Sequence, residues 1–396
     1  MIGDNPFTEA FFQDPYPVYR QMRDQESPYW LETPHDAKSG GCWMFTRYDE
    51  VKDLLRKAHD APQDIKRLIP ESQRTAFHYM LLYSDPPDHT RLRSLISTPF
   101  SRAGVNRLDA MITRQVDQLL DVIQEHDEVD FIAAFAEPLP VNVISELLGT
   151  PIEDATLLRD WTVTLGRGFD STINDPVASQ RGVEALQEMT RYFTELMARP
   201  NQPPGTIIES LKNDSAAQKC SPQEAMAQCM LLLLAGHETT LSLLGNAMYC
   251  LLTNPGELAK LRQQPELLDS MINEVLRFEA PFQRAVFRVA AEPITCRGHQ
   301  IQVGERISPV VSAANRDPAQ FAEPDRFDIE RKPNRHLAFG LGIHRCLGEK
   351  LARSEARIAI GRLLQRFPHL QAVESKPRWK ARSLFRTLQS LPVKPG

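Results

Sequence analysis

The chain has 396 residues, 42% hydrophobic and 24% charged, a balance that excludes a disordered or fibrous protein. With 46 Lys and Arg against 51 Asp and Glu the net charge is -5, so the global basic field of a non-specific nucleic-acid binder is absent. At about 150 residues per domain, the length alone would allow two or three domains.

In chain order, the N-terminus MIGDNPFTEAFFQDPYPVYR carries acids and prolines where a signal peptide has a basic start and an apolar stretch. Helical periodicity covers 15–26, 49–58, 86–97, 105–126, 139–148, 152–167, 178–198, 221–253, 256–263, 265–279 and 346–367. Strand patterns cluster early, at Tyr29–Leu31 and Cys42–Phe45, and late, at 285–289, 294–296, 301–303 and 306–311. Gly298 and Gly304 mark turns between the late strands. The expectation is a mainly α chain with a smaller β region, an α+β layout. The most apolar run, Met230–Ala235, is six residues against the ~20 a bilayer requires, so we expect a cytoplasmic protein with no membrane association. Six cysteines without a CxxC pair predict neither a disulfide framework nor a zinc site.

One predicted helix is unusual. Ser221-Pro222-Gln223-Glu224 reads as cap, first-turn proline and capping-box glutamate, and the pattern runs on to Asn254-Pro255. A rod of ~48 Å with an apolar middle should cross the interior. Directly after Met230–Ala235 come Gly236, His237, Glu238, Thr239 and Thr240, polar groups that are costly in a buried helix unless satisfied or used. A threonine bonding back to a carbonyl one turn earlier and a glutamate paired with a cation would satisfy them. A role in chemistry is the alternative.

Near the C-terminus stands Phe339-Gly340-Leu341-Gly342-Ile343-His344-Arg345-Cys346-Leu347-Gly348. Its glycines allow the backbone to fold tightly against a flat object. Cys346 opens a predicted helix, where free N–H groups and the helix dipole favour thiolate. A thiolate in such a cradle is a good soft ligand for haem iron. The other five cysteines read as buried and inert.

This segment resembles the haem-binding signature of the cytochrome P-450 family, soluble bacterial type. Ala235–Thr240 (AGHETT) resembles the family's oxygen-activating segment, Glu274-Val275-Leu276-Arg277 its Glu-x-x-Arg motif, and His89 with Arg93 its His-x-x-x-Arg pair. The motifs stand in the family's order across nearly the whole chain. The resemblance implies one domain over 1–396, with haem b held between the long central helix and the Cys346 loop.

It also implies the site. Cys346 would be the axial ligand to iron, shielded by Phe339, and His89, Arg93, Arg288 and His344 would meet the haem propionates. Ala235 and Gly236 would give dioxygen room beside a locally widened helix, and Thr239 and Glu238 would carry the proton chemistry. Glu274 and Arg277 would be fold residues, with Arg326 or its rival His336 as third partner. The implied reaction is a monooxygenase's: insertion of one oxygen atom into a C–H or C=C bond of an apolar small molecule. The resemblance points to a polyketide-like or fatty-acyl substrate of bacterial secondary metabolism, free or carried by a protein. Electrons would come from NAD(P)H through a reductase and a ferredoxin or flavodoxin. That partner would dock on a monomer near Arg102, Arg107, Arg345, Lys350 and Arg353. The pocket would be lined from 61–83 (Lys66, Arg67, Leu68, Phe77, Met80, Leu82), 166–180, Leu232, Leu233, Gln283–Val286 and Leu384–Arg386. The alternatives are a peroxide-using haem peroxygenase, a non-catalytic haem sensor, and a helical scaffold without cofactor.

Overall fold

The computed structural model describes residues 6–25, 27–32, 40–56, 70–168, 170, 175–374 and 376–396. Helices α1 (Glu9–Gln13) and α2 (Tyr16–Gln25) precede strands β1 (Tyr29–Glu32) and β2 (Gly41–Phe45). A long helical stretch follows: α3 (Tyr48–Arg56), α4 (Asp88–Ile96), α5 (Arg102–Gln124), the short β3 (Val129–Asp130), α6 (Pro138–Leu148), α7 (Ala155–Gly168), α8 (Pro176–Ala198), α9 (Ile207–Ala216), α10 (Pro222–Thr253), α11 (Pro255–Gln263) and α12 (Leu268–Phe278). The chain then forms β4 (Arg288–Val289), β5 (Ile294–Cys296), β6 (His299–Ile301), β7 (Arg306–Pro309), α13 (Val311–Ala314), α14 (Glu349–Arg366), β8 (Gln371–Ala372) and β9 (Pro392–Lys394). The expected α+β layout is what the chain adopts.

The early and late strand clusters meet in one sheet of order β1-β2-β7-β4. β2 runs parallel to β7, with Cys42 opposite Arg306 and Phe45 opposite Pro309, and β4 is antiparallel to β7. Parallel pairing requires a crossover, and here nearly the whole helical body supplies it. The strand reading of 306–311 stops at Pro309, because Val311–Ala314 turns helical.

α10 is built as its sequence dictates. Ser221 Oγ accepts from Glu224 N at 3.1 Å, and Glu224 Oε2 accepts from Ser221 N at 2.8 Å. The helix is buried from Ala225 to Leu233 and again from Thr240 to Met248. It packs against α6, α7, α8, α9, α11, α12 and α14, so it is the axis of the helical body. Contrary to the six-residue estimate, Pro222–Thr253 is by length and composition apolar enough to cross a membrane. Its best window is 78% buried among the protein's own residues, which accounts for that apolarity as core packing.

The expected widening of α10 near Gly236 is absent; the helix is regular α throughout. A five-residue π-type turn lies instead at Ile132–Ala136, packed against α10. A side chain at Gly245 would come within 2.8 Å of the Ile132 terminal methyl there, so the two segments pack closely. The last long helix begins at Glu349, three residues later than its periodicity suggests, and leaves Cys346 in the preceding loop.

Candidate active site

Cys346 N donates to Phe339 O at 2.8 Å, and Gly340 N to Leu337 O at 2.8 Å, closing the segment into a tight loop. Gly340 and Gly342 have φ of +67° and +72°, and a Cβ on Gly342 would sit 2.7 Å from Leu55 O at the end of α3. Both the fold-back and the close approach therefore need glycine. Phe339 is half-buried, with the Arg353 guanidinium 5.0 Å from its ring centre.

Cys346 is accessible, unlike the other cysteines, yet burial among surrounding protein pushes its thiol up to about 11. The two observations agree if the sulfur lines an internal chamber rather than the outer surface. N–H groups of Gly348 and Glu349, with the Arg93 charge, pull the other way and are outweighed. The N–H groups favour thiolate, as the sequence suggests, and burial opposes them and prevails in the protein by itself. A metal cation reverses that balance, since a coordinating thiol is deprotonated outright.

Around this loop the chain gathers basic side chains. His89 and Arg93 lie one turn apart on α4, and Arg93 Nη2 donates to Arg345 O at 2.9 Å. The His89 and His344 rings meet edge-on at 4.5 Å. Arg288 is 2% exposed, and its guanidinium donates to Leu54 O. Burial drives His89 down to about 4, with His344 and Arg93 adding to the effect, and drives Arg288 down to about 10. The acid that faces them among the described residues is Asp85, 3.7 Å from His344 Nε2. His89 Nε2 and His344 Nε2 are buried without a hydrogen-bond partner in the protein. Burying so much donor capacity against one carboxylate is unfavourable unless an anion joins it. The two propionates of a haem fit this donor set, and the accessible sulfur fits its iron.

On α10, Leu234, Ala235, Gly236 and Thr239 form an accessible or half-accessible strip in an otherwise buried helix. Thr239 Oγ1 donates to Ala235 O at 2.6 Å. Glu238 turns elsewhere: both its oxygens accept from Arg382 Nη1, at 2.5 and 2.6 Å, in a buried pair. A side chain on Gly166 of α7 would crowd it at 2.8 Å. Both satisfied arrangements weighed from the sequence therefore occur. Arg382 lay beyond sequence reasoning, because nothing in its local pattern signals a partner 144 residues away.

His237 is fully buried, its Nδ1 2.6 Å from Thr162 Oγ1. Burial pushes it down to about 4, with Lys380, Arg159 and Arg382 adding to the effect. The ordinary value of an unfolded chain is about 6.5. Above that pH the ring is neutral in both states. Below it only the unfolded chain takes up the proton, so stability falls by about 3 kcal/mol on reaching pH 4. Urea unfolding at pH 7 and pH 4 should show this loss, and His237→Gln should remove its share of the slope. A mutant with the wild-type pH slope would mean the ring is not held neutral.

Glu274 and Arg277 form a fully buried bidentate pair at 2.8 Å. The third partner is neither of those expected. Arg331 Nε donates to Glu274 Oε1 at 3.1 Å, whereas Arg326 offers Arg277 only its backbone oxygen and His336 meets Asn273. Among the pocket candidates, Leu232 and Leu233 are core packing, and Arg386 is buried in a pair with Glu279. Phe77 and Leu82 are half-buried and Met80 is buried, while Lys66, Arg67 and Leu68 lie outside the described residues. Arg345 and Arg353 both pair with Glu349, leaving Arg102, Arg107 and Lys350 as the more open cations of the suggested docking face.

A family model for cytochrome P450 matches residues 184–390. Cytochrome P450 107B1 of Saccharopolyspora erythraea is 40% identical, the alignment covering 98% of this chain and 97% of that one. Cytochrome P450 monooxygenase PikC of Streptomyces venezuelae is 35% identical, with 98% and 92% covered. A similar solved structure is P450BioI in complex with an acyl carrier protein ligated to hexadec-9Z-enoic acid. It has a TM-score of 0.89 and 36% identity, and the match covers 98% of this chain and 100% of that one.

Proposed function

Because this chain belongs to the cytochrome P450 family of haem-thiolate monooxygenases, we propose that Cys346 is the axial ligand of its haem iron and that residues 1–396 act as one domain around that cofactor. The enzyme is an oxidoreductase that takes a small-molecule substrate and electrons from a redox partner. When bound, the haem supplies the activation of dioxygen and insertion of one oxygen atom into a C–H or C=C bond. What carries the reading is the accessible thiol of Cys346 beside His89 and His344, whose Nε2 atoms lack a hydrogen-bond partner in the protein, and the guanidinium groups of Arg93 and Arg288.

The remaining roles follow from residue chemistry. His89, Arg93, Arg288 and His344 hold the propionates, which supply the anionic charge this cluster lacks. Phe339 shields the sulfur from water, and Ala235 and Gly236 keep the facing helix surface low. Thr239 donates its own proton to Ala235 O, so its oxygen lone pairs are left to accept from a donor in the chamber. Glu238 moves protons only when it leaves Arg382, so that pair sets its availability. For Thr239→Ala, the loss of one such hydrogen bond, worth about 1–1.5 kcal/mol, should raise the peroxide-to-product ratio per NAD(P)H by roughly tenfold. Unchanged coupling would remove Thr239 from the chemistry.

The substrate reading is an apolar acyl or polyketide-like chain of bacterial secondary metabolism, free or on a carrier protein. P450BioI with its acylated carrier protein supports it. The donor would be a ferredoxin or flavodoxin with an NAD(P)H-dependent reductase, docking on a cytoplasmic monomer where Arg102, Arg107 and Lys350 are exposed. A screen of acids, macrolactones and carrier thioesters for a shift of iron spin state tests this reading. Absence of any response from these classes would overturn the substrate assignment.

A further inference from the structure

Two of the segments that the resemblance assigns to the substrate pocket, 166–180 and Gln283–Val286, meet at one buried polar cluster, which Ser383 completes. Arg284 comes from the stretch between α12 and β4, Asp170 follows α7, and Ser383 adjoins the Arg382 that holds Glu238. Arg284 is 9% exposed. Its Nη2 donates to Ser383 Oγ at 2.6 Å, and its guanidinium faces the Phe7 ring at 5.6 Å. The facing carboxylate, Asp170, stands 3.9 Å away, beyond hydrogen-bond reach. Both Asp170 oxygens already accept from Ser383, one from its N–H and one from its hydroxyl, each at 2.7 Å. Arg284 Nε is buried with no hydrogen-bond partner in the protein.

A guanidinium offers five N–H donors in a planar fork. A buried Arg whose donors are this little used is costly unless something else takes them. The neighbouring surface is apolar: Phe282 and Phe385 pack at 5.3 Å, and Ala285 and Val286 are half-exposed. Resting on the monooxygenase reading above, we propose that Arg284 is the specificity-determining anchor for a free carboxylate on an otherwise apolar substrate. The carboxylate takes guanidinium donors that Ser383 leaves unused, and the chain runs along the apolar wall. Asp170 opposes the ligand's charge and so limits its affinity.

The test is titration of the haem-loaded enzyme by spin-state shift, with palmitate and with methyl palmitate. Wild type should bind the acid at least tenfold more tightly than the ester. Arg284→Gln should weaken the acid by tenfold or more and the ester by less than twofold, with Arg284→Lys in between. Asp170→Asn should tighten the acid severalfold and leave the ester unchanged. Equal affinity of wild type for acid and ester overturns the anchor and leaves the monooxygenase reading standing. Equal losses for both ligands in both variants, the mark of a purely structural cluster, do the same. No spin-state response to either ligand overturns the acyl-substrate reading and the anchor with it. If Arg284→Gln does not accumulate folded, the wild-type comparison and Asp170→Asn decide.

Discussion

Cys346→Ser is expected to abolish the far-red-shifted Soret band of the ferrous carbonyl complex and, with it, monooxygenase turnover. The expectation rests on comparing the six cysteines. Cys42, Cys220, Cys229 and Cys250 are buried and Cys296 is half-buried, and Cys346 is the accessible one. Burial pushes Cys229 up to about 12 and Cys296 up to about 11; Cys229 lies inside α10 and Cys296 ends β5. Cys346 also has N–H groups of Gly348 and Glu349 directed at its sulfur, which favour thiolate once a cation is beside it. The loop should survive the substitution, because its closing bond from Cys346 N to Phe339 O belongs to the backbone. Unchanged circular dichroism with a lost band is therefore the expected pair of results. Retention of the band would mean that another residue holds the iron.

Glu274→Ala should prevent accumulation of haem-loaded protein. Both members of the Glu274–Arg277 pair are completely buried. Glu274 also accepts from Asp328 N at 3.0 Å, Arg331 Nε at 3.1 Å and Asn334 Nδ2 at 3.0 Å. Arg277 donates to the backbone oxygens of Asn315, Pro324 and Arg326 at 2.8–3.0 Å. The pair thus ties α12 to the long connection that leads into the Cys346 loop. Breaking a buried pair costs about 3–5 kcal/mol, because the surviving charge stays buried and unpaired. That is a large part of the roughly 5–15 kcal/mol that holds a typical domain. Arg331→Ala should lower the urea midpoint as well, while Arg326→Ala, whose exposed side chain pairs with exposed Glu323, should stay within about 0.5 kcal/mol of wild type. Normal haem content with lost activity in Glu274→Ala would make this glutamate a participant in the chemistry instead.

The network shows where sequence reading stops. Spacing places Glu274 and Arg277 on one helix face, and that much is local. Which cation completes the pair depends on how the connection from Asn315 to Asn334 folds back, and Arg326 and Arg331 look alike as letters. Glu238 poses the same problem: its place on α10 is legible, its partner Arg382 is not. Asp170, Arg284 and Ser383 are farther still from any motif, and only packing brings them together.

What the amino-acid sequence determined by itself was local or short-range: helix spans from a 3.6-residue period, the capped start of α10, the glycine-shaped loop before Cys346, and the His89–Arg93 spacing. These follow from backbone geometry and hydrogen bonding within a few residues, so they hold before the chain is compact. The tertiary structure alone decided which buried charges meet, that burial outweighs the helix end at Cys346, and that Glu238 is clamped while Thr239 stays accessible. Those outcomes depend on desolvation and on contacts between segments far apart in the chain, and both come into being only when the chain closes on itself.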